Sequence, residues 1–585
     1  MSSIHSHGAN METFIAVFSR ENGSTIRRRR PPGDDQGPHK VAVVGHHFSG
    51  CDQISASDSG TEHADEFRLT GLAPGCHSTV VAHTSGLSAC TDPVGQFPLY
   101  SAQSGGRVLV GPSAAVLAAE IGDSIDPVQL ATRIACPDMP DLFATRTMYR
   151  NVDRIPEGTV LRIDACGTRQ SEHHRIRADP SISLAEVAEQ LRDRLLASVQ
   201  ARTEAASRLT ADFSGGFDST SLAFLAATSG APVATLTSYH EDLSTDTDDI
   251  ERARRFAGLN KRLAHHMVPG SAEHLPFQDL VAASEEPHGA PIFLGPMRER
   301  LAAASNLGAD LHVVGEGGDV VLGAPPAYLA DLARRGDLTT LWRHCVSWAR
   351  LRTRSPLKLF RQAVTVGTTS RSQALRNLAR AIQNGRSGEF PTWEDDWICY
   401  GRRPWSDWLT ARARRQLAAN VFELADHDAS NDNIGDLVTR SWLRSQTLTQ
   451  QAIREAGNQV GISVHAPFLD SDVVRTCLSL PAHLRVNPNV AKPLLRAALT
   501  DLIPKAVLSH PAKGDYTKES HHGVRRAAPT LRRLFAESAT ADHGLLEPGP
   551  VRLVLDRAIQ GFPTPWGALS QVIAVELWLR ENQGR

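Results

Sequence analysis

The sequence predicts an α/β protein of two domains, a strand-rich N-terminal part followed by a larger part in which strands alternate with helices. Three observations carry this. Up to about residue 161 the chain holds short apolar runs separated by Gly, Pro and Asp. Residues 209–213, a glycine turn and residues 220–227 read as strand, turn and helix. The apolar run Leu311-His312-Val313-Val314 again ends in glycines and an aspartate. At 585 residues the chain is also too long for one ordinary core.

Taken in order, residues 1–10 are polar and read as a flexible leader, and residues 13–18 as a first strand. Apolar runs at 41–44, 78–82, 97–100, 108–110 and 155–161 continue the strand-rich part. Residues 170–182 are polar with Pro180 and read as a linker. Ser183 and Glu186 have capping-box spacing, and Leu184, Val187, Leu191, Leu195 and Val199 share one helix face, the pattern of a core stripe. The expected division is leader 1–10, N-terminal domain 11–175 and C-terminal domain 183–585.

Ser214-Gly215-Gly216-Phe217-Asp218-Ser219 reads as a phosphate cradle. Adjacent glycines admit a polyphosphate to the backbone, Ser214 and Ser219 add hydroxyl donors, and a helix N-terminus offers unpaired N–H groups. Asp218 would repel phosphate unless a cation lay between, and Mg2+ is the natural mediator. A strand at 233–239 follows. Asp246, Asp248, Asp249 and Glu251 then precede a helical stretch, and acids placed there favour the helix dipole more simply than they bind metal. The second turn, Gly315-Glu316-Gly317-Gly318-Asp319, repeats the glycine and aspartate chemistry. Between Arg343 and Arg386 all ten charged residues are basic, a solvated face or a surface for an acidic partner. Trp393, Trp397 and Trp405 lie close by as packing or interface aromatics.

The net charge of -2 gives no global reason to expect nucleic acid. Eight scattered cysteines without a CxxC pair predict neither a disulfide framework nor a zinc ribbon. No apolar run is long enough to cross a membrane and no secretory signal is visible, so a cytoplasmic protein is expected. The basic run at 27–30 reads as a solvated loop.

Ser214 to Ser219 resembles the pyrophosphate loop of N-type ATP pyrophosphatases and lacks the Gly-Lys-Ser/Thr ending of a Walker A loop. Together with the turn at Gly315 to Asp319 and with Ala466-Pro467-Phe468-Leu469-Asp470, it resembles the active site of asparagine synthetases. The resemblance implies an α/β ATP-pyrophosphatase (adenine nucleotide α-hydrolase-like) synthetase domain using ATP and Mg2+. It puts Asp218 and Asp319 on the metal, Ser214, Gly215, Gly216, Asp218, Ser219 and Gly315 around the nucleotide, and Lys492 and Lys513 on phosphate and the reacting carboxylate. Glu316 matches a glutamate of asparagine synthetases where β-lactam-forming synthetases carry tyrosine, and it is the candidate base for the attacking amine.

The N-terminal part carries a second resemblance. Asp92-Pro93-Val94-Gly95-Gln96-Phe97-Pro98-Leu99-Tyr100, with the strand at Val108 and the Pro156-Glu157-Gly158 turn, looks like the glutaminase domain of the same family. This implies an Ntn-type (class II glutaminase-like) αββα fold. That family has a cysteine directly after the initiator methionine, where this sequence offers Ser2, or Glu12 if Met11 marks the start. Without a thiol beside a free amine there is no activated nucleophile for amide hydrolysis, so a degenerate, retained scaffold is expected.

Residues 461–465 depart from the Arg-containing pattern of asparagine synthetases, which counts against aspartate as substrate. Asp212-Phe213-Ser214-Gly215-Gly216, Lys513-Gly514-Asp515-Tyr516-Thr517 and Leu577-Trp578-Leu579-Arg580 look like actinobacterial lasso-peptide cyclases. That resemblance implies a macrolactam synthetase that adenylates an Asp or Glu side chain of a precursor peptide and joins it to the peptide's N-terminal amine. It further implies a leader-binding protein and a leader peptidase as partners; on the charge and hydropathy grounds above, neither nucleic acid nor a membrane is expected. An ammonia-dependent asparagine synthetase and a non-catalytic scaffold with a vestigial ATP site stay open as alternatives.

Overall fold

The computed structural model describes residues 14–19, 23–28, 41–48, 74–173, 176–240, 247–283, 285–385, 404–428, 430, 432–509 and 517–582. The expected leader, Trp393, Trp397, Arg386 and Lys513 lie outside the described residues.

The N-terminal domain contains β1 (Phe14–Ser19), β2 (Gly23–Arg28), β3 (Val41–His47), β4 (Gly75–Ala82), β5 (Gly86–Cys90), β6 (Tyr100–Ser104) and β7 (Arg107–Gly111). Helices α1 (Ala114–Ile121) and α2 (Pro127–Ala135) follow, then β8 (Val152–Arg154), β9 (Thr159–Asp164) and β10 (Gly167–Glu172). The strands form two antiparallel sheets, ordered β2-β1-β7-β6-β8 and β10-β9-β5-β4-β3. Alternation along β1 explains how they stack. Phe14, Ala16 and Phe18 enter a core with Val80, Leu87 and Ala89 of the other sheet, whereas Ile15 joins Leu117 of α1 and Leu130 of α2. The described layers are therefore helix, sheet and sheet. The second helix layer of the expected αββα sandwich is not among the described residues.

Two expectations need correction here. The run 97–100 is not a strand before Tyr100. The buried Asp92 carboxylate accepts from the N–H groups of Val94 at 2.8 Å and Phe97 at 3.0 Å, which curls the backbone into a turn. The linker also begins later than residue 170, because β10 pairs with β9 as far as Glu172 opposite Thr159. Polar composition suggested a linker; an edge strand with one solvated face has the same composition.

The C-terminal domain opens with α3 (Leu184–Ala205), whose capping box forms through Ser183 and Glu186. Val187, Leu191, Leu195 and Val199 are buried in the core as the stripe predicts. A parallel sheet follows, built from β11 (Leu209–Asp212), β12 (Val233–Tyr239), β13 (Leu263–Pro269), β14 (Leu311–Val313) and β15 (Ser463–His465). Helices α4 (Phe217–Thr228), α5 (Thr247–Ala257), α6 (Gly295–Asn306) and α7 (Gly318–Val321) connect or follow these strands. The strand order is β13-β12-β11-β14-β15. Chain order therefore runs outward in opposite directions from the β11–β14 pair, and the crevice beyond the carboxyl ends of these two strands is the switch point where such sheets bind ligands.

Between β14 and β15 lie α8 (Tyr328–Arg334), α9 (Leu338–Arg352), α10 (Pro356–Gly367), α11 (Arg371–Asn384), α12 (Ala411–His427) and α13 (Ile434–Gln459). The basic stretch is thus three helices. After β15 come α14 (Ser471–Ser479), α15 (Ala482–Arg485), α16 (Pro493–Leu499), α17 (Lys505–Leu508), α18 (Thr517–Arg526), α19 (Ala528–Ala536), α20 (Ala539–Asp542), α21 (Pro548–Gln560) and α22 (Trp566–Asn582).

Buried polar contacts join the two domains. Asp470, which ends the Pro-Phe-Leu-Asp element, accepts from Arg202 at 2.6 and 2.8 Å, from Ser198 at 2.6 Å and from the Gly75 N–H of the N-terminal domain at 3.2 Å. Arg454 of α13 donates to Gln96 at 2.8 and 3.0 Å. Glu286 is enclosed by Arg133, Arg154 and Arg444; burial pushes its carboxyl up, but the three guanidinium groups hold it at about 2. Trp405 is an interdomain packing residue, buried against Trp408 and donating its backbone N–H to Ala135 at 2.7 Å.

Candidate active site

The first turn leaves β11 and enters α4. Gly215 has φ of 75°, and a Cβ there would stand 2.9 Å from the Asp249 carbonyl oxygen, so this turn requires glycine. Gly216 caps α4 without a side-chain hydrogen bond, leaving the first N–H groups of a twelve-residue helix without a side-chain acceptor. The Ser214 and Ser219 hydroxyls hydrogen-bond across the turn at 3.0 Å, and Ser214 Oγ accepts from the Gly216 N–H at 3.2 Å. Arg252 Nε supports the loop from outside by donating to the Gly215 carbonyl at 3.0 Å, and Arg252 is itself paired with Asp249. This gives Asp249 the structural role expected for it; the side chains of Asp246 and Asp248 lie outside the description.

The second turn leaves β14 and packs directly on the first. A Cβ on Gly315 would stand 2.8 Å from Ser219 N, and one on Gly318 would stand 2.6 Å from Asp218 Oδ2. The two glycine turns therefore meet backbone to side chain, and Asp218 and Asp319 converge. Lys492, which precedes α16 at a φ of 48°, places its ammonium between them, paired with Asp218 Oδ2 and 2.7 Å from Asp319 Oδ1. Burial alone would lower the Lys492 pKa, but Asp218 and then Asp319 outweigh it and raise the value. Asp319 is 54% exposed at its side chain against 17% for Asp218, so the pair has a buried and an open side.

This donor set suits Mg2+. Two hard carboxylate oxygens from separate turns already share one cation, and phosphate oxygens and water would complete an octahedral shell. Among the described residues no group of three or more His, Cys, Asp or Glu side chains is placed to hold a metal by itself. Any metal here would be held jointly with its phosphate ligand.

Glu316 lies in the same turn and accepts a hydrogen bond from Gln446 Nε2 of α13. Its carboxyl is pushed above the ordinary range by burial first and then by the charge of Asp212, with the Gln446 bond opposing. Asp212, the last residue of β11, is by contrast firmly ionised. Burial would raise its pKa, but Arg300 at 2.7 Å and His312 at 3.1 Å bring it to about 2. With His312 Nε2 donating to that carboxylate, its Nδ1 accepts from Thr210 Oγ1 at 2.9 Å. Two neighbouring carboxyls are thereby separated in function, one neutralised in a fixed ion pair and one holding a proton more readily.

The turn geometry unites Ser214, Gly215, Gly216, Asp218, Ser219, Gly315, Glu316, Asp319 and Lys492 in one crevice, while Lys513 is outside the described residues. Sequence reading missed Arg300, His312, Gln446, Arg252 and Glu519. Glu519, on α18, is raised by burial and opposed by the charge of Arg300, which places it beside the same ion pair. None of these follows a glycine turn, and only Glu519 carries a local hint, falling close behind Lys513-Gly514-Asp515. Residues 463–465 form β15, which pairs in parallel with β14. His465 stacks on His46 of the N-terminal domain with ring centroids 3.6 Å apart, and burial, then the charge on His46, keep its pKa far below the usual histidine value.

Residues 190–580 match the asparagine synthase family. No curated protein matches the chain. Among solved structures, glutamine phosphoribosylpyrophosphate amidotransferase from B. subtilis complexed with ADP and GMP aligns at 12% identity over 46% of this chain and 78% of its own, with a TM-score of 0.19. A second, titled as the allosteric regulatory enzyme of purine biosynthesis, aligns at 11% identity over 43% of this chain and 62% of its own, with a TM-score of 0.17. Scores this low transfer neither fold nor function.

Proposed function

The chain belongs to the asparagine synthase family of ATP-dependent amide-forming ligases, and from that premise we propose that it is a lasso-peptide macrolactam synthetase. In this reading it adenylates an Asp or Glu side chain of a precursor peptide and closes an isopeptide bond with the peptide's N-terminal amine. The observation that carries the ligase chemistry is the meeting of two glycine turns whose aspartates share the Lys492 ammonium. The finer assignment rests on the cyclase-like strings at 212–216, 513–517 and 577–580.

The uncapped α4 N-terminus and the Ser214–Ser219 turn receive the ATP phosphates. A bound Mg2+, held by Asp218 and Asp319, would neutralise phosphate charge. A substrate carboxylate oxygen attacks the α-phosphorus and pyrophosphate leaves. The amine nitrogen then attacks the acyl carbon, AMP departs with the former carboxylate oxygen, and the peptide ends one water lighter. Glu316, with its raised pKa, takes the proton released by the amine, and Lys492 and Lys513 balance charge on phosphate and acyl oxygens. Ring closure requires the folded peptide to present amine and adenylate together, so the crevice works as a mould as well as an activator.

The test is mass spectrometry of the purified protein with Mg–ATP and either a linear precursor core peptide or aspartate with ammonium, alongside Lys513→Ala. AMP, pyrophosphate and a peptide lighter by one water support the proposal. Asparagine as the product assigns the chain to the ammonia-dependent class instead. Failure to bind Mg–ATP revives the non-catalytic scaffold.

A further inference from the structure

α9 and α10 form a helical hairpin whose tip serves none of the contacts described above. Thr353, left-handed at a φ of 51°, turns the chain between them, and Ser355 caps α10. Two large apolar side chains stand out from this tip, Leu351 at 57% and Leu357 at 48% exposure. Arg350, Lys358 and Arg361 lie close by on the two helices and are exposed. Farther along the hairpin Trp342, 45% exposed, meets the edge of Phe360 at 5.9 Å. No acidic residue occurs between Asp337 and Glu389.

A surface that served solubility alone would mix both signs of charge rather than set two exposed leucines among cations only. Arg350 sits in the last turn of α9, where it suits the helix dipole, but this accounts for neither leucine nor for Lys358 in the first turn of α10. Arg371 and Arg376 of α11 are engaged by Asp428 and Asp426 at 2.9 and 2.8 Å and form no part of the patch. The turn between two helices is convex. A peptide partner would want a groove for its apolar anchors, and a nucleic acid offers phosphate but nothing for exposed leucines. A planar surface with anionic headgroups above an apolar layer meets both halves of the pattern.

We propose that the α9–α10 tip docks the protein peripherally on an anionic lipid bilayer, with Leu351 and Leu357 entering the headgroup boundary and the nearby cations on lipid phosphates. This differs from spanning, for which no helix among the described residues is long and apolar enough. It revises the expectation of no membrane partner and is independent of the substrate proposed above.

The experiment is co-sedimentation of the full chain with phosphatidylcholine vesicles, with and without phosphatidylglycerol, at physiological salt. Binding is expected only to the phosphatidylglycerol vesicles. It should weaken by about tenfold or more in Leu351→Ser/Leu357→Ser and in Arg350→Glu/Lys358→Glu. Thermal melting and Mg–ATP affinity, measured on the same variants, should match the wild type because the four substituted side chains are exposed on α9 and α10 and belong to neither glycine turn. Absence of vesicle binding overturns the proposal, as does binding that the leucine variant retains. Equal displacement by polyglutamate or duplex DNA also overturns it, since that would reduce the tip to a non-specific cation patch.

Discussion

Replacing Gly318 with alanine tests whether the two turns touch as described. The added Cβ would lie 2.5 Å from Asp218 Cγ and 2.6 Å from its Oδ2. Carbon contacts settle at about 3.5–4.0 Å, so the Asp218 carboxylate must retreat by about 1 Å. It cannot swing away freely, because Oδ2 is paired with Lys492. Overpacking of this kind costs about 1–3 kcal/mol. A carboxylate pushed out of place also loses about 1.5–3 kcal/mol of charge-assisted contact with Mg–ATP, which corresponds to about 10- to 150-fold weaker binding. Calorimetric titration with Mg–ATP and urea unfolding read the two effects separately. Gly549→Ala is the control, since nothing lies within 4 Å of its Cβ, and it should leave stability unchanged or raise it by about 0.4–1 kcal/mol. Wild-type stability and affinity in Gly318→Ala would refute the contact between the turns. Lost stability with wild-type affinity would refute a role for Asp218 at the nucleotide.

Three further outcomes are expected. Lys492→Met leaves two carboxylates facing each other, so the metal-free protein should lose about 1–3 kcal/mol, and added Mg2+ should raise the melting temperature more than in the wild type; equal responses in scanning fluorimetry would count against a shared cation site. Asp212, held at about 2 against an ordinary 3.8, adds stability that is complete above about pH 4 and is lost as pH falls through about 2. Arg300→Met should therefore move acid unfolding, followed by circular dichroism, to higher pH by removing about 2 kcal/mol, whereas an unchanged midpoint would deny the pair. Glu286→Gln strands Arg133 and Arg444 in the domain interface and should cost about 3–5 kcal/mol in urea unfolding; a loss below about 1 kcal/mol would mean that solvent reaches this cluster.

Lys492 has two assignments that do not compete. In the structure its ammonium joins Asp218 and Asp319, and a positive φ at its own backbone places it ahead of α16. Under the proposed function the same ammonium balances charge on phosphate oxygens. Its ammonium keeps the Asp218 and Asp319 carboxylates from facing each other uncompensated.

Both glycine turns, the capping box of α3 and the strand-rich character of the first domain are legible along the chain, because each is written in adjacent residues. A strand running into Gly-Gly and then into helix formers has few other conformations. Where a side chain intervened, local reading failed: Asp92 captured the backbone of residues 94–97 and turned an apolar run into a loop. What meets at the site depends on long-range packing. Lys492 reaches Asp218 across 274 residues, Gln446 reaches Glu316 across 130, and His312 reaches Asp212 across 100. Such pairs carry no local period or turn chemistry, since they arise from the order and register of parallel strands and the helices packed on them, which long-range burial selects.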